Sequence, residues 1–289
     1  MDNKLKKNDI INKNSSVFIA TFSRYEDGKR LPTNGMIEPL LSFFLPKVKN
    51  ILLLDQPHPS SDTINPIVEH YQNKRLKVKF VIKEFFYLPI YILCKLQNTN
   101  GTHVSFKIRD FLSVFFLGIM QKERYNLFIG LESINTFAGI FLRKLGKVNS
   151  VVYYVSDYSP TRFGQTLFNA LYLWLDRFCV RHADFIWDVS PAIQKARIKA
   201  GLSSKKKYSV IHVPNALFSS QIGSLPVSLR DSNILVYMGT LDAENGVDLA
   251  IEALSHVKKK NPNVILRVIG GGKRDIHRLK VLTKKLKLQ

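Results

Sequence analysis

The sequence predicts an α/β protein built on parallel β-sheet with helices on both faces. Short runs rich in β-branched and aromatic residues alternate with segments whose apolar residues recur at helical spacing, along nearly all of the 289 residues. Strand, helix and strand in repeated order is typical of a parallel sheet covered on both sides. Hydrophobic residues make up 45% of the chain, which is enough to build cores of that size and argues against a disordered protein.

Nine segments are predicted as strands and five as helices. The strands lie at 17–22, 50–54, 78–82, 126–130, 150–155, 184–189, 210–213, 233–238 and 264–269. The helices lie at 136–145, 165–181, 191–200, 247–257 and 276–286, and each carries its apolar residues at helical spacing or ends at a glycine.

Composition divides the chain into two domains. Residues 1–14 are polar and basic and are expected to form a flexible tail, whereas 15–215 hold the first seven strands. Residues 216–232 contain small and polar residues, a proline and no hydrophobic period, so they predict a linker. Residues 233–289 then supply only two strands and two helices, too few to bury both faces of a parallel sheet. We therefore expect the second domain to be incomplete.

The charge is strongly positive, with 43 Lys and Arg against 22 Asp and Glu for a net charge of +21. This balance predicts attraction to nucleic acid, to an anionic membrane surface or to phosphorylated substrates, and charge alone does not choose among them. Cys94 and Cys179 lie far apart in apolar segments, which indicates buried thiols in a reduced, cytoplasmic chain. The polar N-terminus lacks the apolar core of a signal peptide.

Two apolar stretches bear on membrane contact. Residues 85–93 and 111–120 are each about half of the ~20 residues that span a bilayer, so no membrane crossing is expected. Lysine and arginine residues flank both stretches, a pattern that suits a segment lying on anionic lipid. A buried core helix is the alternative interpretation.

Three glycines follow the last predicted strand. Gly270, Gly271 and Gly272 occupy a strand-to-helix corner, where glycine lets the backbone approach a ligand closely. Free N–H groups in the first turn of the next helix favour an anion such as phosphate. The spacing fits neither the dinucleotide-binding fingerprint nor the P-loop, and a plain tight turn is the alternative.

Several segments together resemble glycosyltransferases of the GT-B fold, family 4 type. "YMGTLDAENGVDLAIEAL" followed by "VILRVIGGGKRDIHRL" is similar to the start of that family's C-terminal domain. "SVIHVPNALF" is similar to its inter-domain segment, and "ADFIWDVSPAIQKARIKAGL" to the strand, serine and helix before it. The resemblance covers residues 150–289, whereas 1–149 match only in the order of strands and helices. It implies two Rossmann-like domains of GT-B type, with the second incomplete in this sequence.

The resemblance implies a nucleotide-sugar donor whose diphosphate approaches glycines at strand ends. Thr240 and Asn245 stand where many relatives carry arginine and lysine, although some subgroups use threonine and asparagine. The family's later pair of glutamates, eight positions apart, has no counterpart in residues 1–289, so the chain resembles a truncated member. The predicted donor-binding residues are Gly28, Gly239, Thr240, Asn245, Gly270, Gly271, Gly272 and Lys273.

The resemblance also implies that the first domain binds the acceptor. Asp157 follows a predicted strand and is the candidate catalytic residue, because a carboxylate can accept a proton or a hydroxyl hydrogen bond. Capping of the following turn is its alternative role. Ser156 and Asp157 stand at the place where relatives often carry a histidine that touches the sugar. The predicted acceptor-side residues are Lys29, Arg30, Glu132, Ser133 and Ser156. A loop-structural role is the alternative for the first four of these and for Gly28.

The sequence thus predicts a retaining glycosyltransferase that moves a sugar from a nucleotide-sugar to a glycan or lipid-linked acceptor in cell-envelope or polysaccharide synthesis. We expect it to act in the cytoplasm, peripherally at an anionic membrane face. No cofactor or metal is expected, because no Asp-x-Asp pair and no His or Cys cluster with ligand spacing occurs. One alternative is a catalytically inactive fragment. The other is a basic nucleic-acid-binding protein, but the Lys and Arg residues are scattered without a recognition motif, so no specific nucleic acid partner is expected.

Overall fold

The computed structural model describes residues 11–31, 35–83, 89, 104–202, 210–216, 219, 223, 226–241, 243–271 and 273–288. The chain divides into two compact units, Met1–Gln221 and Ile222–Gln289, which we call the N-terminal and C-terminal units. The division falls inside the segment predicted as a linker. Residues 1–10 of the predicted tail and Cys94 lie outside the described residues.

The described strands of the N-terminal unit form one nine-stranded sheet. In sequence, the helices of this unit alternate with groups of one to three strands. The strands are β1 (Ser16–Glu26), β2 (Lys29–Leu31), β3 (Asn50–Pro57), β4 (Ile67–Gln72), β5 (Arg75–Val81), β6 (Tyr125–Leu131), β7 (Val148–Val155), β8 (Phe185–Asp188) and β9 (Val210–His212). The helices are α1 (Ile37–Phe44), α2 (Val104–Met120), α3 (Glu132–Lys144), α4 (Leu167–His182) and α5 (Pro191–Lys199).

Six of these strands are parallel, in the order β3-β1-β6-β7-β8-β9. The chain places β3 on one side of β1 and then returns to place β6 on the other side, so the strand order reverses between β1 and β6. In open parallel sheets, ligands bind outside the carboxyl ends of the strands at such a reversal. This topology directs attention to the residues that follow β1 and β6.

Both faces of this sheet are buried, as the sequence predicts. On β1, Val17 and Ile19 pack into a cluster with α1 residues such as Leu40. Phe18 and Ala20 point to the opposite face and pack with residues of α2, α3 and α4. The alternation follows from the period of two in a strand. Cys179 of α4 is fully buried in the second cluster.

The expectation of a parallel strand at 78–82 is wrong in its pairing. β5 pairs antiparallel with β4, and β4 pairs antiparallel with β3. The reason is a two-residue turn at Asn73 and Lys74, whose φ angles of +48° and +69° suit the twist of an antiparallel hairpin. β2 is a second such addition, joined to β1 through Asp27 and Gly28 at φ +50° and +69°.

The helices agree better with expectation than the edge strands do. α4 matches the helix predicted at 165–181, and α5 begins after Ser190, whose hydroxyl accepts a hydrogen bond from the Ala192 amide at 3.2 Å. The apolar stretch 111–120 lies in α2, and the stretch 85–93 falls outside the described residues except for Pro89. No helix within the described ranges is long and apolar enough to cross a membrane.

The C-terminal unit contains β10 (Ile234–Met238), α6 (Val247–Val257), β11 (Ile265–Ile269) and α7 (Lys273–Lys285). β10 and β11 form a two-stranded parallel sheet. A small core of Leu241, Val247, Ile251 and Leu279 packs between strands and helices. Most strand side chains, including Val236 and Met238, stay exposed, because two strands and two helices cannot cover both faces of the sheet.

Candidate functional site

The predicted donor-binding residues of the C-terminal unit that the structure describes lie at one edge of its sheet. Met238 at the end of β10 is opposite Ile269 at the end of β11, so the loops that follow both strands lie side by side. The backbone N–H of Gly239 donates to the Ile269 carbonyl at 3.0 Å and joins the two loops.

The neighbouring glycines Gly270 and Gly271 have different surroundings. A Cβ atom on Gly270 would lie 2.2 Å from the Gly239 carbonyl oxygen and 2.7 Å from the Leu241 side chain. A Cβ atom on Gly271 would meet no atom within 4 Å. Gly270 is therefore required for the contact between the two loops, whereas Gly271 leaves open space beside the backbone.

Thr240 and Asn245, both predicted as donor-binding residues, are in contact with each other. The Asn245 amide donates to the Thr240 hydroxyl at 2.6 Å, and the Tyr237 hydroxyl donates to the Thr240 carbonyl at 2.8 Å. The loop after β10 is thus held by its own side chains. Gly272 and the side chain of Lys273 fall outside the described part of the chain.

Arg278 of α7 is a residue of this edge that sequence analysis missed. Its guanidinium donates to the Leu241 carbonyl at 2.8 Å and forms an ion pair with Asp248 of α6. These contacts fix the loop after β10 against α7 and the start of α6. Nothing in the sequence marks this role, because the partners lie 30 and 37 positions away.

In the N-terminal unit, Glu132 stands at a strained corner between β6 and α3. Its φ angle is +65°, in the left-handed region that non-glycine residues seldom adopt. The corner is tight because a Cβ atom on the preceding Gly130 would lie 2.6 Å from the Thr136 amide nitrogen. Such a backbone costs roughly 1–3 kcal/mol and is found most often at functional sites.

The carboxylate of Glu132 is bound by the residue that follows the neighbouring strand β7. It accepts hydrogen bonds from the Ser156 backbone N–H at 3.2 Å and from the Ser156 hydroxyl at 2.5 Å. Burial raises the pKa of Glu132, and the Ser156 hydrogen bonds and the charge of Arg162 oppose that rise. Two predicted acceptor-side residues are therefore in direct contact.

Asp157 lies beside this pair and is exposed to solvent over 67% of its side chain. It forms an ion pair with Arg162 at 3.2 Å. The Arg162 guanidinium lies 5.9 Å from the ring centroid of Tyr172, whose pKa is raised to about 12, mainly by burial. Sequence analysis missed Arg162 and Tyr172. We name Glu132, Ser156, Asp157, Arg162 and Tyr172 the Glu132 cluster.

The other predicted residues of this unit have structural contacts or exposed side chains. Ser133 is buried in α3, and its carbonyl accepts from the Cys179 thiol at 3.3 Å. Arg30 pairs with the carboxylates of Asp55 at 2.7 Å and Glu69 at 3.0 Å. Gly28 forms the tip of the β1–β2 hairpin and Lys29 is exposed beside it. The ligand roles assigned to these four residues stay predictions.

Metal ligands were not expected from the sequence. Across the residues whose positions are described, no group of three or more His, Cys, Asp and Glu side chains is arranged to hold a metal ion.

The comparisons with known proteins bear first on the C-terminal unit. Residues 226–289 match the family described as Glycosyl transferases group 1. This segment contains the loops that follow β10 and β11, and we call the sheet edge that they form the glycine-lined edge. No curated protein sequence matches the chain.

Solved structures resemble the whole chain at low sequence identity. Sucrose-phosphate synthase from Thermosynechococcus elongatus has a TM-score of 0.64 and 12% identity, over 95% of this chain and 68% of that one. An E. coli trehalose-6-phosphate structure with UDP-2-fluoro glucose bound has a TM-score of 0.60 and 12% identity, over 94% and 70%. The catalytic domain of starch synthase IV from Arabidopsis thaliana, bound to ADP and acarbose, has a TM-score of 0.57 and 9% identity, over 96% and 72%.

These likenesses establish the fold. The chain has the mixed α/β fold of GT-B glycosyltransferases, which confirms the predicted fold class. The match at residues 226–289, together with that fold, supports a glycosyltransferase enzyme.

Proposed function

We propose that the chain is a glycosyltransferase that moves a sugar from a nucleotide-sugar donor to a hydroxyl group of a glycan or lipid-linked acceptor. The observation that carries this proposal is the glycine-lined edge of the C-terminal unit, because it lies within the segment that matches the glycosyltransferase family. ADP and UDP-2-fluoro glucose, bound in two of the similar structures, support a nucleotide-sugar as the donor class.

The donor diphosphate is proposed to bind at this edge. Gly271 offers open backbone, and the first turn of α7 offers N–H groups that have no partner within the helix. Such donors stabilise the negative charge that develops on the diphosphate as the bond from the sugar C1 to the phosphate oxygen breaks. The proposed mechanism needs no metal or other cofactor.

The acceptor hydroxyl is proposed to bind at the Glu132 cluster. Asp157 can accept the hydroxyl hydrogen bond, since its carboxylate is exposed and Arg162 holds it in place. Glu132 has a raised pKa and can retain or take up a proton closer to neutral pH than an ordinary glutamate. The hydroxyl oxygen forms the new bond to C1, and its proton passes to a carboxylate or to the departing diphosphate.

The family 4 resemblance is the basis for three finer proposals, namely transfer with retention at C1, a role in cell-envelope or polysaccharide synthesis, and action in the cytoplasm. Proton NMR of the product formed from an α-linked nucleotide-sugar would test the first, because retention gives an α-linked product. A β-linked product would contradict it.

We propose peripheral contact with an anionic membrane through aromatic side chains of α2, α3 and α4. We call Phe111, Phe116, Phe137 and Trp174 the aromatic ridge. Phe111 contacts Phe137 with ring centroids 5.7 Å apart, and Phe137 contacts Trp174 at 6.1 Å. Phe116 and Trp174 are about half exposed, at 45% and 51%. Sedimentation with vesicles should increase with anionic lipid, decrease with salt and weaken in Trp174→Ser. Indifference to lipid charge would contradict this proposal.

The test of the main proposal measures donor binding and transfer separately. UDP- and GDP-sugars are titrated by calorimetry, and nucleotide release is followed with mixed glycan and lipid-linked acceptors, with and without EDTA. Binding followed by EDTA-insensitive transfer supports the proposal. Donor binding without transfer to any acceptor would favour the inactive fragment, and absence of both would refute donor recognition by the C-terminal unit.

A further inference from the structure

A pocket of about 350 Å³ lies at the amino ends of β1 and β3, the sheet edge opposite the Glu132 cluster. Four of the seven residues that line it are lysines, namely Lys13, Lys47, Lys49 and Lys74, and none is acidic. The lysines come from three separate chain segments. Neither the family match nor the proposed transfer reaction involves this edge.

The pocket backbone is fixed by hydrogen bonds between those segments. The Lys49 N–H donates to the Ser15 carbonyl at 2.9 Å, and the Asn73 N–H donates to the Lys49 carbonyl at 2.9 Å. Asn73 and Lys74 form the left-handed turn between β4 and β5, which projects Lys74 beside the others. Convergence of the four lysines is therefore a property of the folded sheet.

The four charges are not neutralised within the described protein. None of these lysines forms an ion pair with a residue that the structure describes. Like charges within one pocket repel one another, and an anion bound among them removes that repulsion. An ammonium group is a compact charge with three N–H donors, which suits phosphate oxygens.

We propose that this lysine pocket binds a phosphate-bearing anion with two or more negative charges. The phosphate can belong to a soluble ligand or to a lipid headgroup. The lipid source has one feature in its favour, since Lys47 Nζ lies 3.4 Å from the ring centroid of Phe43, which is 53% exposed at the rim. An exposed aromatic ring beside cations is typical of contact with the membrane interface.

The experiment compares two double variants that remove the same charge from exposed lysines of the N-terminal unit. Lys47→Gln with Lys49→Gln alters the pocket, and Lys195→Gln with Lys199→Gln on α5 is the matched control. Both are made on a Gly271→Val background, so that diphosphate binding at the C-terminal unit is not counted. The probes are inorganic pyrophosphate, measured by calorimetry, and phosphatidylcholine vesicles with and without phosphatidic acid, measured by sedimentation.

We expect the pocket variant to weaken binding of at least one probe by tenfold or more, while the control stays within twofold of the parent. Loss of pyrophosphate binding identifies a soluble ligand, and loss confined to phosphatidic acid vesicles identifies a lipid headgroup. Equal effects of the two double variants would overturn the proposal, because they would show general charge attraction. Absence of binding to both probes would overturn it as well.

Discussion

Gly270 and Gly271 are adjacent in sequence, but we expect substitution of Gly270 to lower stability and substitution of Gly271 to weaken donor binding. Gly270→Ala places a Cβ atom 2.2 Å from the Gly239 carbonyl oxygen, a distance that the backbone must relieve by moving. Overpacking of this kind costs about 1–3 kcal/mol. For a unit the size of Ile222–Gln289, that cost lowers the melting temperature by on the order of 10 °C.

Gly271→Val should have the opposite profile. Its Cβ atom meets no protein atom within 4 Å, so the free energy of unfolding should change by only ~0.5 kcal/mol. The added side chain instead fills the space in which we place the donor diphosphate. We expect nucleotide affinity to fall at least tenfold, which corresponds to about 1.4 kcal/mol.

The assay pairs thermal unfolding with calorimetric titration of UDP and GDP. Both tryptophans, Trp174 and Trp187, lie in the N-terminal unit, so their fluorescence reports that unit and serves as an internal control, whereas far-UV circular dichroism reports both units. Gly271→Val with normal affinity, or with losses of affinity and stability equal to those of Gly270→Ala, would refute the donor role and leave both glycines as turn formers.

Three further predictions follow from the described contacts. Glu132→Gln removes a carboxylate whose pKa is raised by burial above the usual value of 4.5. The folded wild type binds a proton at Glu132 more tightly than the unfolded chain does, so it loses stability as the pH rises through the raised pKa. The variant should therefore melt at a higher temperature than the wild type at pH 8 but not at pH 4. Equal differences in melting temperature at both pH values would contradict this. Arg197→Met leaves the buried carboxylates of Asp176 and Asp188 uncompensated and should lower the free energy of unfolding in urea by roughly 3–5 kcal/mol. The exposed Lys195→Gln should lower it by only ~0.5 kcal/mol, and similar values for the two variants would disprove the role of the buried ion pairs. Amide hydrogens in the exposed strands β10 and β11 should exchange faster than those of β1 and β6 by mass spectrometry, and uniform protection would show that the C-terminal sheet is covered.

Much of the fold could be predicted because buried parallel strands and amphipathic helices leave strong patterns. Strand β7 contains the continuous apolar run 151–155, and the face formed by Phe168, Leu171 and Leu175 predicts α4. The antiparallel edge was not predicted. Its strands are short or exposed and so lack a clear pattern. The turn at Asn73 and Lys74 joins β4 and β5, and the sequence signal for the added strand β2 is the Asp27–Gly28 pair, which favours a two-residue hairpin. The sequence analysis instead predicts a ligand contact for Gly28.

The contacts of the candidate site also divide into those that could be predicted from the sequence and those that could not. Glu132 and Ser156 could be predicted to meet, because each follows a strand of a parallel sheet and β6 and β7 are neighbours. The ion pair of Asp157 with Arg162 could not, since it depends on the path of an irregular loop.

The burial of Arg197 is a sharper case of the same limit. A helix residue with charged neighbours in sequence is ordinarily assigned to the surface, yet Arg197 is 2% exposed. It can be buried only because its guanidinium donates to the carboxylates of Asp176 on α4 and Asp188 at the end of β8, each at 2.9 Å. Those partners lie 21 and 9 positions away and come together only once β8 has paired with β7 and α4 has packed on the sheet. Local patterns therefore predict which segments form the sheet, whereas the polar contacts that position the loops at its edge require the tertiary structure.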